Sequence, residues 1–283
     1  RILSPRRVGR QNGVVQRTTT ARPVTAQDIG AEALYLAGGG RALLLQIAHP
    51  AVGRGVAEHS DFANRMMDRL HATMTYVYAA IYATPEELAA VRRAVNRAHA
   101  PVRGEAEGAK PAYNAYDPGL QLWVAATLYE TMMRLHDRVF GPLKAEDAER
   151  VYQEFSVLGT ALQVPPESWP ADRAAFAAYW EETLTTLQPT DATRAVARRI
   201  LYPRGVPFWM RTSLPSARLV TTGLLPPQLR AQFGMPWDER TSANYDRWMR
   251  WTARAYPRIP ASWRHKPKEV YLKRLRSQLT EAS

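Results

Sequence analysis

His99 lies in the run Asn96-Arg97-Ala98-His99-Ala100-Pro101 of a 283-residue chain that has no cysteine. The missing thiols exclude disulfides, iron–sulfur clusters, thiolate-ligated haem and cysteine-type zinc sites. An iron or a porphyrin would therefore need an imidazole or oxygen donor. Leu88, Val91, Val95, His99 and Val102 follow one another at helical spacing and form a single stripe. Arg92, Arg93, Asn96 and Arg97 fall off it and are expected to face water. The imidazole should thus point inward among aliphatic side chains. One reading is a core histidine bonded to a backbone carbonyl. The other is an axial ligand of haem, because apolar surroundings keep the ring neutral and free to bind iron.

Two neighbouring segments carry further candidates. Phe62, Met66, Leu70, Thr73, Val77 and Ile81 predict an apolar stripe on the preceding helix, with Arg69 and Thr73 four apart along its edge. An arginine there either snorkels to solvent or offers its fork of donors to a propionate or carboxylate. Upstream, Gly38-Gly39-Gly40 is no phosphate loop, since no Gly-Lys-Ser/Thr follows and no strand precedes it. Those glycines predict close approach between helices or to a ligand. His49 stands before Pro50, at an expected break facing either a cofactor or the core, and Asp61 follows in Glu58-His59-Ser60-Asp61.

Other chemistries lack their residues. Two Glu-x-x-His motifs, as a di-iron carboxylate site needs, are absent, as are His-Glu-x-x-His and Gly-x-Ser-x-Gly. Asp68-x-x-His71 reads as a helix face. His136 and His265 sit among charges and are expected at the surface. Tyr245, Trp248, Trp251, Tyr256 and Trp263 alternate with Arg247, Arg250, Arg254 and Arg258. Trp248, Trp251 and Ala255 share one face, which is expected to dock inward with the arginines outward.

The elements that position these residues are helices. Thr25 with Asp28 predicts a capped helix through Leu36, ended by the three glycines. Further helices are expected over 41–59 with a break at Pro50, over 61–82, and from Pro85 to about Pro101, where Thr84 and Glu87 form a capping box. Others follow over 118–140, 144–162, 172–187, 191–201, 238–256 and 268–279, with one or two short ones within 213–234. Strand-like alternation is hard to find, and no apolar run approaches the ~18–20 residues needed to span a bilayer.

The net charge of +12 is uneven. Residues 1–22 carry six arginines and no acid, and residues 247–283 carry ten Lys or Arg against Glu269 and Glu281, which leaves 23–246 at −2. This predicts a basic N-terminal arm over 1–22, a helical domain over 23–246 and a basic helical C-terminal extension over 247–283. The basic ends read as solvated tails or as contacts for an anionic surface.

Several motifs, taken together and in order, resemble the mpaB/rubber-oxygenase family, which includes the latex clearing proteins. They are Gly38-Gly39-Gly40-Arg41-Ala42-Leu43-Leu44-Leu45-Gln46-Ile47-Ala48-His49-Pro50, Glu58-His59-Ser60-Asp61-Phe62, Arg69-Leu70-His71-Ala72-Thr73, the His99 run and Asp117-Pro118-Gly119-Leu120-Gln121-Leu122-Trp123. Residues 223–230 and 233–237 extend the match, which covers roughly 25–240. The resemblance implies a globin-like helical bundle around a pocket for haem b, with His99 as the iron ligand and Arg69 and Thr73 beside the haem. It also implies oxidative cleavage of carbon–carbon double bonds in isoprenoid chains. Ala72 departs from the pattern, where rubber oxygenases carry a lysine, and so does Ala125, where many relatives carry a histidine.

The expectation is an all-α haem-b oxygenase that uses dioxygen and an apolar, polyprenyl-type substrate. His99 is its metal ligand, Arg69 and Thr73 are its catalytic and haem-contacting residues, and His49 and Asp61 are pocket residues. A cytoplasmic protein with peripheral membrane contact through its basic termini is expected, without nucleic acid. Two other readings stay open: a haem carrier or gas sensor without turnover, and a basic helical module binding a membrane surface or nucleic acid.

Overall fold

A computed structural model describes residues 22–59, 66–203 and 211–281. The helices are α1 (Ala26–Gly30), α2 (Gly39–Ala48), α3 (Pro50–His59), α4 (Met66–Tyr82), α5 (Pro85–His99), α6 (Pro118–Phe140), α7 (Ala145–Phe155) and α8 (Val157–Thr160). They continue with α9 (Arg173–Thr186), α10 (Asp191–Leu201), α11 (Leu214–Leu224), α12 (Pro227–Gln232), α13 (Glu239–Ala255), α14 (Ala261–Arg264) and α15 (Lys266–Glu281). A small antiparallel ribbon pairs β1 (Arg103–Gly104) with β2 (Tyr113–Asn114). The protein is all-α, as expected.

Local signals set most helix starts. The Thr84 hydroxyl accepts from the Glu87 N–H while the Glu87 carboxylate accepts from the Thr84 N–H, and Pro85 opens the first turn. Asp117 caps α6 by accepting from the Leu120 N–H (2.9 Å), and Gly141, at φ +87°, ends it. Pro50 separates α2 from α3. His49 is extended there, and the Ala48 carbonyl accepts from the Gln188 N–H (2.9 Å) instead of from the helix.

The first predicted helix is shorter than expected. It ends at Gly30, and Glu32 is extended before a 3-10 turn over Ala33–Gly38. The reason is tertiary. The Glu32 carboxylate is buried where it pairs with Arg264, accepts from the Tyr256 hydroxyl (3.0 Å) and meets His265 Nε2 (3.2 Å). A continuous helix would compete with this anchor for the C-terminal segment. His265 is therefore half-buried in an ion cluster and not free at the surface.

Gly39 and Gly40 begin α2, where a stop was expected. A Cβ on Gly40 would lie 2.4 Å from Thr221 Oγ1, and one on Gly38 would lie 2.6 Å from Thr131 Cγ2, whereas Gly39 faces nothing within 4 Å. Close packing of α2 and its lead-in against α11 and α6 thus requires two of the three glycines. Gly40→Ala should lower stability by about 1–3 kcal/mol through overpacking. Gly39→Ala should be neutral or stabilising by up to about 1 kcal/mol, since alanine is the better helix former. Urea unfolding midpoints test this, and equal shifts for both variants would contradict the packing account.

The principal core runs from α2 through α6 to α7, α9 and α10. At its heart Tyr129 meets Phe176 edge-on at 5.1 Å, Tyr152 stacks on Trp169 at 5.4 Å, and Trp123 meets Trp180 at 5.1 Å. Such pairs contribute about 0.5–1.5 kcal/mol each beyond area burial. A smaller cluster joins Tyr76 and Ala79 of α4, Val91 of α5 and Leu275 of α15. The basic last helix packs there as well: the Tyr271 hydroxyl lies 2.7 Å from His71 Nδ1, and Arg276 Nε donates to Glu87 (2.9 Å).

Candidate functional site

The α4–α5 hairpin builds the site. Its turn is short, so the helices run antiparallel, and His99 and Arg69 lie at matching distances from it. The two residues singled out in the sequence are therefore brought to the same end of the hairpin, near enough for the Arg69 charge to act on His99. Burial lowers the affinity of the His99 imidazole for a proton, and the positive charge of Arg69 lowers it further. The ring is held neutral, the state in which a nitrogen lone pair can bind a metal. His99 is half-buried; its Nδ1 is sealed from solvent and has no hydrogen-bond partner. The expected inward stripe is present, with Val91 buried and Leu88 and Val95 packed on Tyr76 and Ala79.

The facing side of α4 is different. Met67 and Leu70 are 44% and 38% exposed, and Ala72 and Thr73 are exposed too. The apolar stripe expected through Leu70 and Thr73 is buried only beyond Met74, where Tyr76, Tyr78 and Ala79 take over. Surrounding protein lowers the proton affinity of the Arg69 guanidinium. The first half of α4 thus leaves Met67, Leu70 and Thr73 exposed together with Arg69, on the helix that pairs with the one carrying His99.

A polar network that periodicity did not reveal holds the His99 turn. Gln163 Nε2 donates to Asn96 Oδ1 (3.0 Å), and the Gln163 N–H donates to Gln121 Oε1 (2.9 Å). Gln121 Nε2 bonds Gln163 and donates to the Ala115 carbonyl (2.7 Å). The Tyr116 hydroxyl donates to the Asn96 carbonyl (2.7 Å), one turn before His99. Asn96 is therefore half-buried and bonded, not turned to water. Only the amide side chains at 96, 121 and 163 hinted at this, and nothing local pairs them.

His49 is half-buried at the α2–α3 break, with Nδ1 also sealed and unpartnered. Burial lowers its proton affinity against the pull of Asp117. Asp117 adjoins Tyr116, so the His49 break and the His99 turn abut the same segment. Asp61 lies outside the described residues. Glu58 and His59, from the same motif, bind the Tyr113 hydroxyl, each at 2.7 Å. Ala125 is buried against Gly159: a Cβ on that glycine would lie 3.5 Å from the Cβ of Ala125, so an imidazole at 125 would not fit without displacing α8.

Two surface expectations are corrected. His136 is buried against Phe140, and its Nδ1 lacks a hydrogen-bond partner, because α13 and the 256–264 segment cover that side of α6. On α13, Tyr245 and Met249 dock inward, whereas Trp248 and Trp251 are 38% and 60% exposed. Among the described residues no three His, Asp or Glu side chains converge as a metal cluster would require, and no helix is long and apolar enough to cross a membrane. A single imidazole on a porphyrin iron needs no such cluster.

An all-helical chain with this hairpin and these motifs falls into a defined class. The family model of the ER-bound oxygenase mpaB/B′/rubber oxygenase catalytic domain matches residues 26–254, and the chain belongs to that family. Two relatives, Uncharacterized protein Mb2261 of Mycobacterium bovis and Uncharacterized protein Rv2237 of Mycobacterium tuberculosis, are each 37% identical over 209 residues, or 72% of this chain and 82% of theirs. No solved structure matches the chain.

Proposed function

We propose that the protein is a haem-b-dependent oxygenase that acts with dioxygen on an apolar, unsaturated, isoprenoid-like substrate. The observation that carries this reading is the His99 imidazole, kept neutral by burial and by the charge of Arg69, on the hairpin whose other helix exposes Met67, Leu70 and Thr73. His99 would hold the iron. Arg69 would bind a propionate or another anionic group through its fork of donors. Thr73 would donate a hydrogen bond on the same face. Haem, when bound, supplies the activation of dioxygen.

The chain's own residues would do the rest. Leu70 and Met67 offer apolar surface that favours an alkene over a polar substrate and sheds water. Alanine at position 72 leaves the face beside Thr73 without a side-chain ligand. The Asn96–Gln163–Gln121 network holds the helical turn that carries the imidazole. The purified, haem-reconstituted protein should show a Soret band and consume dioxygen with at least one unsaturated prenyl lipid. A band without any uptake across a panel of such lipids would instead favour a carrier or sensor, and no band after reconstitution would end the haem reading.

The exposed Trp248–Trp251 pair favours a membrane surface as the source of such a substrate. The two rings touch at 5.6 Å between centroids, and exposed Arg247, Arg250 and Arg254 share that side of α13. Tryptophan partitions to lipid interfaces, and each nearby arginine adds about 1 kcal/mol of attraction to anionic lipid. Anionic vesicles should shift tryptophan emission to the blue, with a clearly smaller shift for Trp251→Ser. Equal responses to neutral and anionic vesicles would count against it.

A further inference from the structure

A cleft lies away from the hairpin. It has a volume of about 450 Å³ and opens between α6, α9, α11, α12 and α13, and none of its lining residues belongs to α4 or α5. Arg134, Arg138 and Arg230 line it together with Trp180, Trp237 and Tyr245. The Arg230 guanidinium sits 4.4 Å from the centroid of Trp237, and that of Arg138 sits 5.7 Å from the centroid of Tyr245. Among the described residues neither guanidinium has an ion pair. Aromatic faces hold these two cations where carboxylates usually would. An arginine so stacked keeps its in-plane N–H groups available for an anion.

Two buried polar atoms near the cleft lack partners. Tyr245 is 4% exposed, and its hydroxyl has no hydrogen bond. Gly223 sets the depth there, since a Cβ on it would lie 2.3 Å from the Tyr245 ring. Behind the wall lies Arg41, which is wholly buried, donates to the Leu224 carbonyl (2.8 Å) and sits 5.9 Å from the Trp180 ring centroid. Its Nη2 is unpartnered. Two carboxylates oppose this charge at the lining, an exposed Glu181 and a half-buried Asp246, while Glu130 answers Arg41 and Arg134. Arg138 and Arg230 are left as the cations without a counter-ion.

We propose that this cleft is a binding site for a small organic anion, a carboxylate or phosphate head with a flat or apolar body. The head is held by the Arg138 and Arg230 forks, with the Tyr245 hydroxyl as a further donor, and the body lies along the indole rings of Trp180 and Trp237. The volume falls within the roughly 300–1,000 Å³ usual for small-molecule sites and suits a single-ring ligand. The site stands independently of haem at His99.

Calorimetric titration of the full chain tests it, with phenyl phosphate and benzoate as probes and benzyl alcohol as the neutral control. One anion should saturate a single site at least ~10-fold more tightly than the alcohol, because charge-assisted forks are lost with the charge. The tighter of the two anions identifies the head group. The Arg138→Gln/Arg230→Gln variant should lose ~10-fold or more while its thermal unfolding stays close to wild type, since both side chains sit at the mouth. Glu181→Gln should tighten the same anion about 2- to 3-fold by removing a like charge. No saturable binding of either anion into the millimolar range would overturn the proposal, as would undiminished binding in the double arginine variant. Should that variant fail to fold, Glu181→Gln decides, and unchanged or weaker binding there overturns it.

Discussion

His99→Ala should abolish the Soret band of the reconstituted protein while leaving the fold intact. Losing only a group that supports a metal ligand costs about 10–100-fold in affinity, so loss of the ligand itself should exceed ~100-fold. The apoprotein should change little in stability, by about 1 kcal/mol or less, because the imidazole is half-buried and its Nδ1 makes no hydrogen bond that would be lost. Millimolar imidazole should restore the band by filling the vacated space. His49→Ala is the informative comparison, since His49 also has a sealed, unpartnered Nδ1. It should keep the band, because its neighbour is the Asp117 carboxylate and not the open face of α4. An unchanged band in His99→Ala, or its loss in His49→Ala alone, would move the iron to the other imidazole.

The largest expected effect on stability lies at Arg41 and Glu130. Arg41 is fully buried, pairs with Glu130 and donates to Thr131 Oγ1 (2.6 Å) and the Leu224 carbonyl (2.8 Å). Burial weakens its hold on a proton, an effect that Glu130 partly offsets, and a guanidinium stays charged in a protein. Glu130→Gln leaves that cation without its counter-ion and should cost about 3–5 kcal/mol. Arg134 binds the same carboxylate (2.8 Å) from a partly exposed position, so Arg134→Gln should cost under about 1 kcal/mol. An Arg41→Met/Glu130→Leu double variant should recover most of the loss, since apolar replacement of a buried pair is often near neutral. Chemical denaturation of the three variants checks the ordering. Equal costs for Glu130→Gln and Arg134→Gln would show that the pair is solvated and the burial argument wrong.

Much of this was legible in the chain. The α5 and α6 boundaries are written in Thr84, Pro85, Glu87, Asp117 and Gly141, because caps act within a single turn. The inward stripe of α5 is readable because helical geometry alone puts Leu88, Val91, Val95 and His99 on one face. The placing of Arg69 and His99 at one end of the hairpin follows from a short turn between two helices of similar length. The motifs placed the chain in its family for a similar reason, since they are contiguous runs.

What failed to show was non-local. His136 looked like a surface residue because its sequence neighbours Arg134, Asp137 and Arg138 are charged, yet a helix more than a hundred residues later covers it. Trp248 and Trp251 looked like an anchor, but α13 found a better fit for Tyr245 and Met249 against Leu224 and Val139. The early helix broke because Glu32 is claimed by Arg264, His265 and Tyr256. Periodicity and caps thus determined which segments are helices, how they start and stop, and that His99 turns inward. Only the tertiary structure decided which charges are buried, which aromatic rings stay outside and which amides lock the His99 turn. The reason is that caps and helical phase are properties of a few adjacent residues, whereas burial and partnership depend on which distant surface arrives, and that is set by packing of the whole chain.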